Sequence, residues 1–335
     1  MPLINKCRGG GGGASQLCEQ VDNFLVTTGM LSATITWTAP SNDENGSFVG
    51  TKIVRKVDAC PTSPSDGVTV YEGTDFTYTD EGLTEGVTYY YRAFAYNSEG
   101  KYQTSMRYGS ITAVNIPESF VLASWEQIIT ACQANAVPDT WAVGDSKDMT
   151  IDGASYTIDI IGKNHDTYSD GSGTAPLTFQ LHDCYGTKYQ MESSNTTANG
   201  WEGCAMRKTH LPAILALMPA AIKTAIKNVN KLTSAGNGST TIKTSADGLF
   251  LLSEVEIFGS TISTSYSVAG EGSQYEYYSA GNSKVKKISG SAQFWWERSP
   301  STNNSTSRFC LVSYTGNAGA GNAGSTYGVA FAFCF

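Results

Sequence analysis

Three histidines are the first candidates for acid–base or metal chemistry in this sequence: His165, His182 and His210. None of them lies in an H-E-x-x-H pattern, which would place two imidazoles and a carboxylate on one helix face. His182 is followed by Asp183 and Cys184, which raises the question of a cysteine nucleophile. Neighbouring residues of a strand point to opposite faces, however, so adjacency in sequence cannot form a catalytic dyad. We therefore expect structural hydrogen bonds at these positions and predict no catalytic residue.

Motifs for metals and cofactors are equally weak. The run from Asp166 to Gly171 carries several side-chain oxygens, but it lacks the acidic ladder and the closing glutamate of a calcium-binding EF-hand loop. The eight cysteines include no C-x-x-C pair, which disfavours zinc ribbons and redox motifs. We expect buried free thiols, with Cys310 and Cys334 as small core residues of neighbouring strands. The sequence predicts neither a bound metal nor a cofactor.

Composition argues against two large classes of partner. Lys and Arg number 22 against 30 Asp and Glu, a net charge of -8, so nucleic-acid phosphates and anionic lipids should repel the chain. Its longest apolar stretch, 211–222, is shorter than the ~20 residues of a spanning helix and contains Pro212 and Pro219. The N-terminus has no apolar signal-peptide core, so we expect synthesis in the cytoplasm. Neither nucleic-acid binding nor membrane insertion is predicted.

The length of 335 residues fits two domains and an attachment segment, because folding units usually have about 100–200 residues. Residues 1–20 contain five consecutive glycines, from Gly9 to Gly13. A flexible tether is the ordinary interpretation of such a run. Glycine also allows backbones to meet near a shared axis, as in collagen. We predict that residues 1–20 attach the protein to a larger assembly.

Residues 21–116 alternate apolar and polar side chains in short runs separated by turn residues, the pattern of an antiparallel β-sandwich. The clearest runs are 33–37, 52–56, 68–71 and 88–96. The sequence A-T-I-T-W followed by Pro40, and the sequence G-L-T-E-G-V-T-Y ending at Tyr89, resemble a fibronectin type III domain. The resemblance implies that Trp37 anchors the core, that Tyr89 makes a corner hydrogen bond, and that the domain is a spacer.

Residues 117–335 are expected to form an α+β domain, because helical patterns come early and short strands come late. Ser124 and Gln127 form a potential capping box, which predicts a helix from residue 125 onward. The dipeptide Asp152-Gly153 lies between two apolar runs and predicts a turn between paired strands.

A second helical region is predicted over 201–232, with Pro212 near the start of one helix and Pro219 separating the next. Val229 is assigned to the apolar face of this second helix. The later apolar runs predict strands over 249–252, 254–258, 293–296, 309–312 and 328–335.

The C-terminal segment carries the most informative pattern. The residues F-W-W-E-R-S-P at 294–300 are followed by a Ser/Asn/Gly-rich tract and by G-V-A-F-A-F-C at 328–334. Together with N-G-W-E-G-C-A-M-R at 199–207 and L-F-L-L-S at 249–253, they resemble ligand-binding variable proteins diversified by retroelements. That family has a C-type-lectin-like fold, in which a fixed scaffold carries varied surface residues. Randomising the first two bases of an AAC or AAT codon cannot produce a codon for Lys, Glu, Gln, Met or Trp. Residues 299–335 contain none of these five amino acids, as such diversification would require.

The resemblance implies a ligand-binding surface in a variable region of about 299–335. The expected exposed contacts are Ser307, Arg308, Leu311, Ser313, Tyr314, Thr315, Asn322, Ser325 and Tyr327. Tyr314, Tyr327 and Arg308 are the expected hot spots, because large planar side chains bind at low entropic cost. Arg298 is expected to pair with a carboxylate. The expected scaffold residues are Trp295, Trp296, Phe309, Phe331 and Phe333.

These features imply a phage tail-tip or tail-fibre receptor-binding protein, located in the virion, that attaches to a glycan or protein receptor on the host surface. Residues 1–20 would contact other tail proteins. A homo-oligomer, a trimer by analogy with tail fibres, would supply avidity. A bacterial surface adhesin built from the same modules is the alternative. A carbohydrate-active enzyme is less favoured because no catalytic motif is recognised, although paired carboxylates assembled in space would escape a motif search.

Overall fold

The computed structural model describes residues 17–43, 47–261, 268–302 and 306–335. The chain divides between Ile116 and Pro117 into two compact units. Regular structure in the described part of the first unit consists of strands, and the described helices all lie in the second. None of these helices has both the length and the apolar character needed to cross a bilayer.

The first unit contains two antiparallel sheets. Its described strands are β1 (Asp22–Gly29), β2 (Ser32–Thr38), β3 (Phe48–Val57), β4 (Val68–Gly73), β5 (Thr77–Asp80), β6 (Thr88–Asn97) and β7 (Tyr108–Thr112). One sheet has the order β1-β2-β5 and the other β4-β3-β6-β7. Along β2, fully buried residues alternate with half-buried ones, as expected for a strand with one face on a core. The four apolar runs of the sequence all lie in strands, so this part of the sandwich prediction is confirmed.

Aromatic residues dominate the core of the sandwich. Trp37 is 3 % exposed, in agreement with its predicted role as a core anchor. Tyr91 is fully buried, and its hydroxyl donates a hydrogen bond to Asp80 at 2.8 Å. The Tyr89 hydroxyl accepts a hydrogen bond from the backbone N–H of Thr84 at 3.1 Å. The predicted corner bond is therefore confirmed, and it ties β6 to the segment that precedes it.

Residues just before β1 also belong to the sandwich. Cys18 is part of its apolar core. The Gln20 carboxamide donates to the carbonyl of Ala93 at 3.1 Å and accepts from the backbone N–H of Ala95 at 3.0 Å. The last residues of the predicted attachment segment thus pack in the sandwich. Residues 1–16, which contain the glycine run, lie outside the described residues.

The second unit mixes strands with short helices. Its strands are β8 (Ser146–Ile151), β9 (Ala154–Lys163), β10 (Leu177–Leu181), β11 (Val229–Ser234), β12 (Ile242–Asp247), β13 (Lys286–Ile288), β14 (Ser291–Gln293), β15 (Trp295–Pro300), β16 (Arg308–Val312), β17 (Ala318–Asn322) and β18 (Ala332–Cys334). Its α-helices are α1 (Trp125–Gln133), α2 (Gly200–Gly203), α3 (Leu211–Leu217), α4 (Ala220–Ala225), α5 (Glu254–Phe258) and α6 (Glu276–Ser279). A π-helical turn, Met206–His210, precedes α3. The sheets have the orders β18-β10-β9-β8, β15-β16-β17, β11-β12 and β13-β14.

Local signals position the first elements of this unit as predicted. The Ser124 hydroxyl accepts a hydrogen bond from the Gln127 amide at 3.2 Å, and the Gln127 side chain accepts one from the Ser124 amide at 2.8 Å. This capping box begins α1. Asp152 and Gly153 have φ values of 49° and 75°, the left-handed pair that a tight hairpin between β8 and β9 requires.

Residues 254–258 were predicted as a strand, and this prediction is wrong because they form α5. The Ser253 hydroxyl accepts from the Glu256 amide at 3.1 Å, and the Glu256 carboxylate accepts from the Ser253 amide at 3.1 Å. Gly259 then ends the helix with a φ of 82°. This second capping box outweighs the alternating apolar pattern that suggested a strand.

The helical region predicted over 201–232 extends beyond the helices that the structure shows, since α4 ends at Ala225. Helices α3 and α4 are separated at Pro219 as expected, but residues from Val229 onward pair with β12 and form a hairpin instead. Alternating burial along β11 fits a strand with one face on the core. Residues 249–252 form an isolated bridge at Phe250 rather than a strand, and the predicted C-terminal strand is shortened to β18.

Candidate ligand-binding surface

The sheet β15-β16-β17 forms the base of the predicted ligand-binding region. Its middle strand is β16, in which Leu311 lies opposite Trp296 on one side and Gly319 on the other. The Trp296 indole N–H donates to the carbonyl of Tyr189 at 2.8 Å, so packing and a hydrogen bond both fix this ring. The predicted burial of the scaffold aromatics is confirmed, since each is 0 % exposed: Trp295, Trp296, Phe309, Phe331 and Phe333.

Three partly exposed aromatic side chains, Phe294, Tyr314 and Tyr327, form a surface that we call the aromatic patch. The rings of Phe294 and Tyr314 pack edge to face with centroids 5.2 Å apart, and those of Phe294 and Tyr327 are 5.8 Å apart. Tyr327 also packs edge to face on the buried Trp296 at 4.8 Å. Tyr314 is 54 % exposed and Phe294 37 % exposed. The patch therefore combines exposed apolar area with direct contact to the core.

Backbone hydrogen bonds hold the patch in place. Tyr189 and Tyr327 exchange two N–H···O bonds of 3.0 and 3.1 Å. The Gly328 amide donates to the Phe294 carbonyl at 2.9 Å, and the Trp296 amide donates to the Gly328 carbonyl at 3.0 Å. Three segments that are distant in sequence are thus joined directly behind the exposed rings. Main-chain hydrogen bonds therefore contribute directly to holding the segments that carry Phe294 and Tyr327.

Tyr314 projects from a turn that is stabilised by its own residues. The Ser313 hydroxyl accepts hydrogen bonds from the backbone amides of Thr315 and Asn317 at 3.3 and 3.1 Å. Gly316 has a φ of 84°, a left-handed conformation that glycine adopts without steric penalty. This local bonding limits the motion of the turn that presents Tyr314.

A polar edge lies where the middle strand β16 pairs with the outer strand β17 of the same sheet. Arg308 and Asn322 are opposite each other, and the Arg308 Nε donates to the Asn322 Oδ1 at 3.3 Å. The Ser307 carbonyl accepts from the amide of Ala323 at 2.8 Å. The predicted contact residues that are exposed or half-buried are Ser307, Arg308, Ser313, Tyr314, Thr315, Asn322, Ser325 and Tyr327.

Leu311 is the exception among the predicted contact residues. It is 3 % exposed, so the prediction that it faces outward is wrong. One Leu311 methyl group lies 3.2 Å from the position that a Cβ on Gly319 would take. The other methyl group lies 2.8 Å from the position that a Cβ on Gly321 would take. The glycines of β17 leave a space that Leu311 fills. A Cβ on Gly321 would also lie 2.5 Å from the ring of Tyr327, so this glycine positions the aromatic patch.

Arg298, which follows the buried tryptophans in β15, is the centre of an interior ionic network. Its guanidinium binds both carboxylate oxygens of Glu256, one of them at 2.9 Å. It also donates to the carbonyls of Leu251 and Glu271, each at 3.0 Å. The predicted pairing of Arg298 with a carboxylate is confirmed. Burial disfavours ionised Glu256, but the charges of Arg298 and Lys231 outweigh this effect and lower the pKa of Glu256.

Asp166, the first residue of the oxygen-rich run considered for calcium, belongs to the same network. The Lys231 ammonium lies 2.7 Å from carboxylate oxygens of both Asp166 and Glu256. The hydroxyls of Tyr275 and Thr178 donate to Asp166 at 2.7 and 2.6 Å. Burial opposes the charge of Asp166, but Lys231 and these hydrogen bonds lower its pKa to about 2. Its oxygens therefore have structural partners.

His182 and the cysteines that suggested chemistry have structural environments. His182 Nδ1 lies 2.8 Å from Asp159 rather than bonding to its sequence neighbours, and this hydrogen bond raises the pKa of His182. Cys184 is buried, and burial raises the pKa of its thiol to about 12. Cys310 lies in β16 and Cys334 in β18, which belong to different sheets. The prediction that they occupy neighbouring strands is wrong, although both are buried as expected.

Two residues of the surface were not predicted from the sequence. Phe294 immediately precedes the tryptophan pair, and its aromatic character in that motif was an available signal. Tyr189 pairs with Tyr327 across a long sequence separation, and nothing local in the sequence indicates that bridge.

The comparison with family models concerns the second unit. Residues 177–335 match a family described as a domain of unknown function, DUF6273. The matched range includes the aromatic patch and every predicted contact residue. No curated protein matches the chain.

Three solved structures that are similar to the chain each cover about a third of its length. A computationally redesigned β-sandwich protein is 24 % identical, covers 30 % of this chain and 98 % of its own, and gives a TM-score of 0.24. A domain of human fibronectin type III domain containing protein 3 is 21 % identical, covers 31 % of this chain and 93 % of its own, and gives a TM-score of 0.26. The sixth such domain of that human protein is 21 % identical, covers 32 % of this chain and 95 % of its own, and gives a TM-score of 0.25. The first unit of this chain is itself an all-β sandwich of a three-stranded and a four-stranded antiparallel sheet.

Proposed function

We propose that this chain is a phage tail-tip or tail-fibre receptor-binding protein whose second unit is a C-type-lectin-like domain with a retroelement-diversified binding site. The observation that carries the proposal is the aromatic patch on the sheet β15-β16-β17. Single exposed aromatic residues are common on protein surfaces, but contiguous ones are typical of interaction sites. Here the Phe294 ring contacts both Tyr314 and Tyr327, and main-chain hydrogen bonds hold the segments that carry these rings.

A diversified site requires that side chains vary while the backbone stays fixed. Thr315 lies in a turn held by the Ser313 hydroxyl and by main-chain hydrogen bonds, and Asn322 lies at the end of a paired strand. Both are exposed, so replacing them removes few internal contacts. The buried tryptophans and the glycines of β17 supply the fixed base. Tyrosine provides a large contact area at low entropic cost, and serine and asparagine adapt their hydrogen bonds to different ligands.

The other parts of the chain fit attachment in several copies. A surface of this polar and aromatic kind binds weakly as a single copy, so a homotrimer and several trimers per virion would supply avidity. The fibronectin type III-like unit acts as a spacer in this proposal. Residues 1–20 would contact other tail proteins, and the receptor is a glycan or protein of the host surface.

Adsorption of the labelled full-length protein to host cells tests the proposal. The double variant Tyr314→Ala/Tyr327→Ala should adsorb at least about tenfold more weakly, since loss of two hot-spot side chains typically costs more than ~1.4 kcal/mol. It should still unfold cooperatively. Tyr108→Ala is the matched control, because this tyrosine of the first unit is 56 % exposed. The control should adsorb like the parent protein.

Unchanged adsorption of the double variant would contradict the proposal, and loss of folding would show that these tyrosines are structural. Immunolabelling separates the two biological settings. Antibodies that decorate phage tails support the receptor-binding protein. Antibodies that decorate the bacterial surface in the absence of phage would support the adhesin instead.

A further inference from the structure

A second cluster of chemically active groups lies in the interior beside the Arg298 network. Glu254 is the first residue of α5, Glu297 lies in β15 and Cys310 lies in β16. All three are 0 % exposed. One carboxylate oxygen of each glutamate and the thiol sulfur lie within 4.8 Å of one another. Three elements of the second unit therefore direct two carboxyl groups and a thiol to one region.

The two buried cations beside this cluster form ion pairs with other carboxylates, and not with Glu297. The ammonium of Lys231 and the guanidinium of Arg298 form ion pairs with Asp166 and Glu256. Within the part of the chain that the structure describes, neither carboxylate oxygen of Glu297 has a hydrogen-bond partner. A buried carboxylate without a partner is strongly destabilising unless it is neutralised by a proton or a cation.

The environment of the cluster opposes ionisation of its members. Burial raises the pKa of Glu297 well above its ordinary value, and the nearby carboxylates of Glu254 and Glu271 raise it further. Burial, followed by the carboxylates of Glu297, Glu254 and Glu271, also raises the pKa of the Cys310 thiol. A divalent cation among these groups would reverse this effect, because it stabilises the ionised form of each one.

We propose that Glu254, Glu297 and Cys310 bind a zinc ion. A thiolate beside two carboxylates suits Zn²⁺, whereas Ca²⁺ and Mg²⁺ bind almost exclusively through oxygen. Zinc binds sulfur at about 2.3 Å and carboxylate oxygen at about 2.0–2.2 Å, so tetrahedral ligand atoms are roughly 3.5 Å apart. Because the three ligand atoms lie within 4.8 Å of one another, the side chains would need to close by little more than about an ångström at most around the ion.

Such an ion would join α5 to two strands of the sheet that carries the aromatic patch. Cys310 and Glu297 lie on the paired strands β15 and β16, which fix the position of two ligands before the metal binds. Binding displaces the thiol proton of Cys310 and the proton of any protonated carboxyl group, so affinity should increase with pH. The site rests on different residues from the proposed receptor-binding surface, so either proposal can fail alone.

Metal titration of the purified full-length chain tests the site. After treatment with a chelator, the chain should bind one equivalent of Zn²⁺ with a rise in Tm. Added Co²⁺ should give the near-ultraviolet charge-transfer band of a cobalt–thiolate bond. Glu297→Gln and Cys310→Ser should each reduce Zn²⁺ affinity at least about tenfold, the loss typical when a metal site is disrupted. Cys132→Ser is the matched control, since Cys132 is also a buried free thiol and should leave Zn²⁺ binding unchanged.

Two outcomes would overturn the proposal. One is that the parent chain binds no Zn²⁺ and shows no cobalt–thiolate band, which needs no variant to fold. The other is that Zn²⁺ binds equally well to Glu297→Gln and Cys310→Ser. Higher stability of Glu297→Gln together with no metal binding would identify Glu297 as a buried neutral carboxyl group.

Discussion

Gly321 is the position where a single methyl group tests the packing behind the aromatic patch. A Cβ there would lie 2.5 Å from the Tyr327 ring, 2.8 Å from a methyl group of Leu311 and 3.1 Å from the Trp296 ring. Leu311 and Trp296 are buried and have little freedom to move, whereas Tyr327 is half-buried. The ring of Tyr327 should therefore be displaced first, and the aromatic patch should lose its geometry.

The magnitude for Gly321→Ala follows from two opposing effects. Overpacking a buried site costs about 1–3 kcal/mol, and replacing glycine by alanine returns about 0.4–1 kcal/mol by restricting the unfolded chain. We expect a net loss of roughly 1–2 kcal/mol in the free energy of unfolding. For a unit of this size, the corresponding decrease in Tm is roughly 2–8 °C.

Urea unfolding and calorimetry of Gly321→Ala measure this loss, with Gly319→Ala as the matched control in the same strand. A Cβ on Gly319 meets the Leu311 methyl group at 3.2 Å, so its effect should be smaller. Gly321→Ala should also weaken host adsorption. Equal stability of Gly321→Ala and the parent chain, or a larger loss in Gly319→Ala, would refute the described packing.

Two further substitutions test charged groups of the second unit. Arg298→Met should destabilise it by about 3–5 kcal/mol in urea, because the buried carboxylates of Glu256 and Asp166 would then share Lys231 as a single cation; a loss below about 1 kcal/mol would contradict this. Hydrogen bonding to Asp159 raises the folded-state pKa of His182. The bond therefore contributes its full stability below the unfolded-state pKa of about 6.5. This contribution is lost as the pH rises through the higher folded-state pKa. His182→Gln should therefore be destabilising at about pH 5 and nearly neutral at about pH 9, and equal effects at both pH values would exclude this coupling.

Sequence reasoning worked where a signal was local and failed where competing patterns overlapped. The capping box at Ser124 correctly predicted α1, and the same type of box at Ser253 was overlooked because the residues after it alternate like a strand. Hydrogen bonds of the cap decide between the two structures, and apolar periodicity alone does not.

The surface residues show the same limits. Phe309 was correctly expected to be buried, and the two-residue period of a strand would have placed Leu311 on the same side. The exposure prediction for Leu311 followed the family pattern instead, and the space left by Gly321 decides against it. The pairing of Arg298 with Glu256 and that of Trp296 with Tyr189 could not be predicted from the sequence. In both cases, packing between segments that are distant in sequence brings the two residues together.

The central claim is that residues 307–327 present exchangeable side chains on a fixed base. A substitution library that scores folding by protease resistance and binding by host adsorption tests it most directly. Substitutions at Tyr314, Thr315 and Asn322 should change adsorption while leaving protease resistance intact, and substitutions at Trp296 should abolish both. The claim would be contradicted if substitutions at the exposed positions unfolded the protein, or if they all left adsorption unchanged.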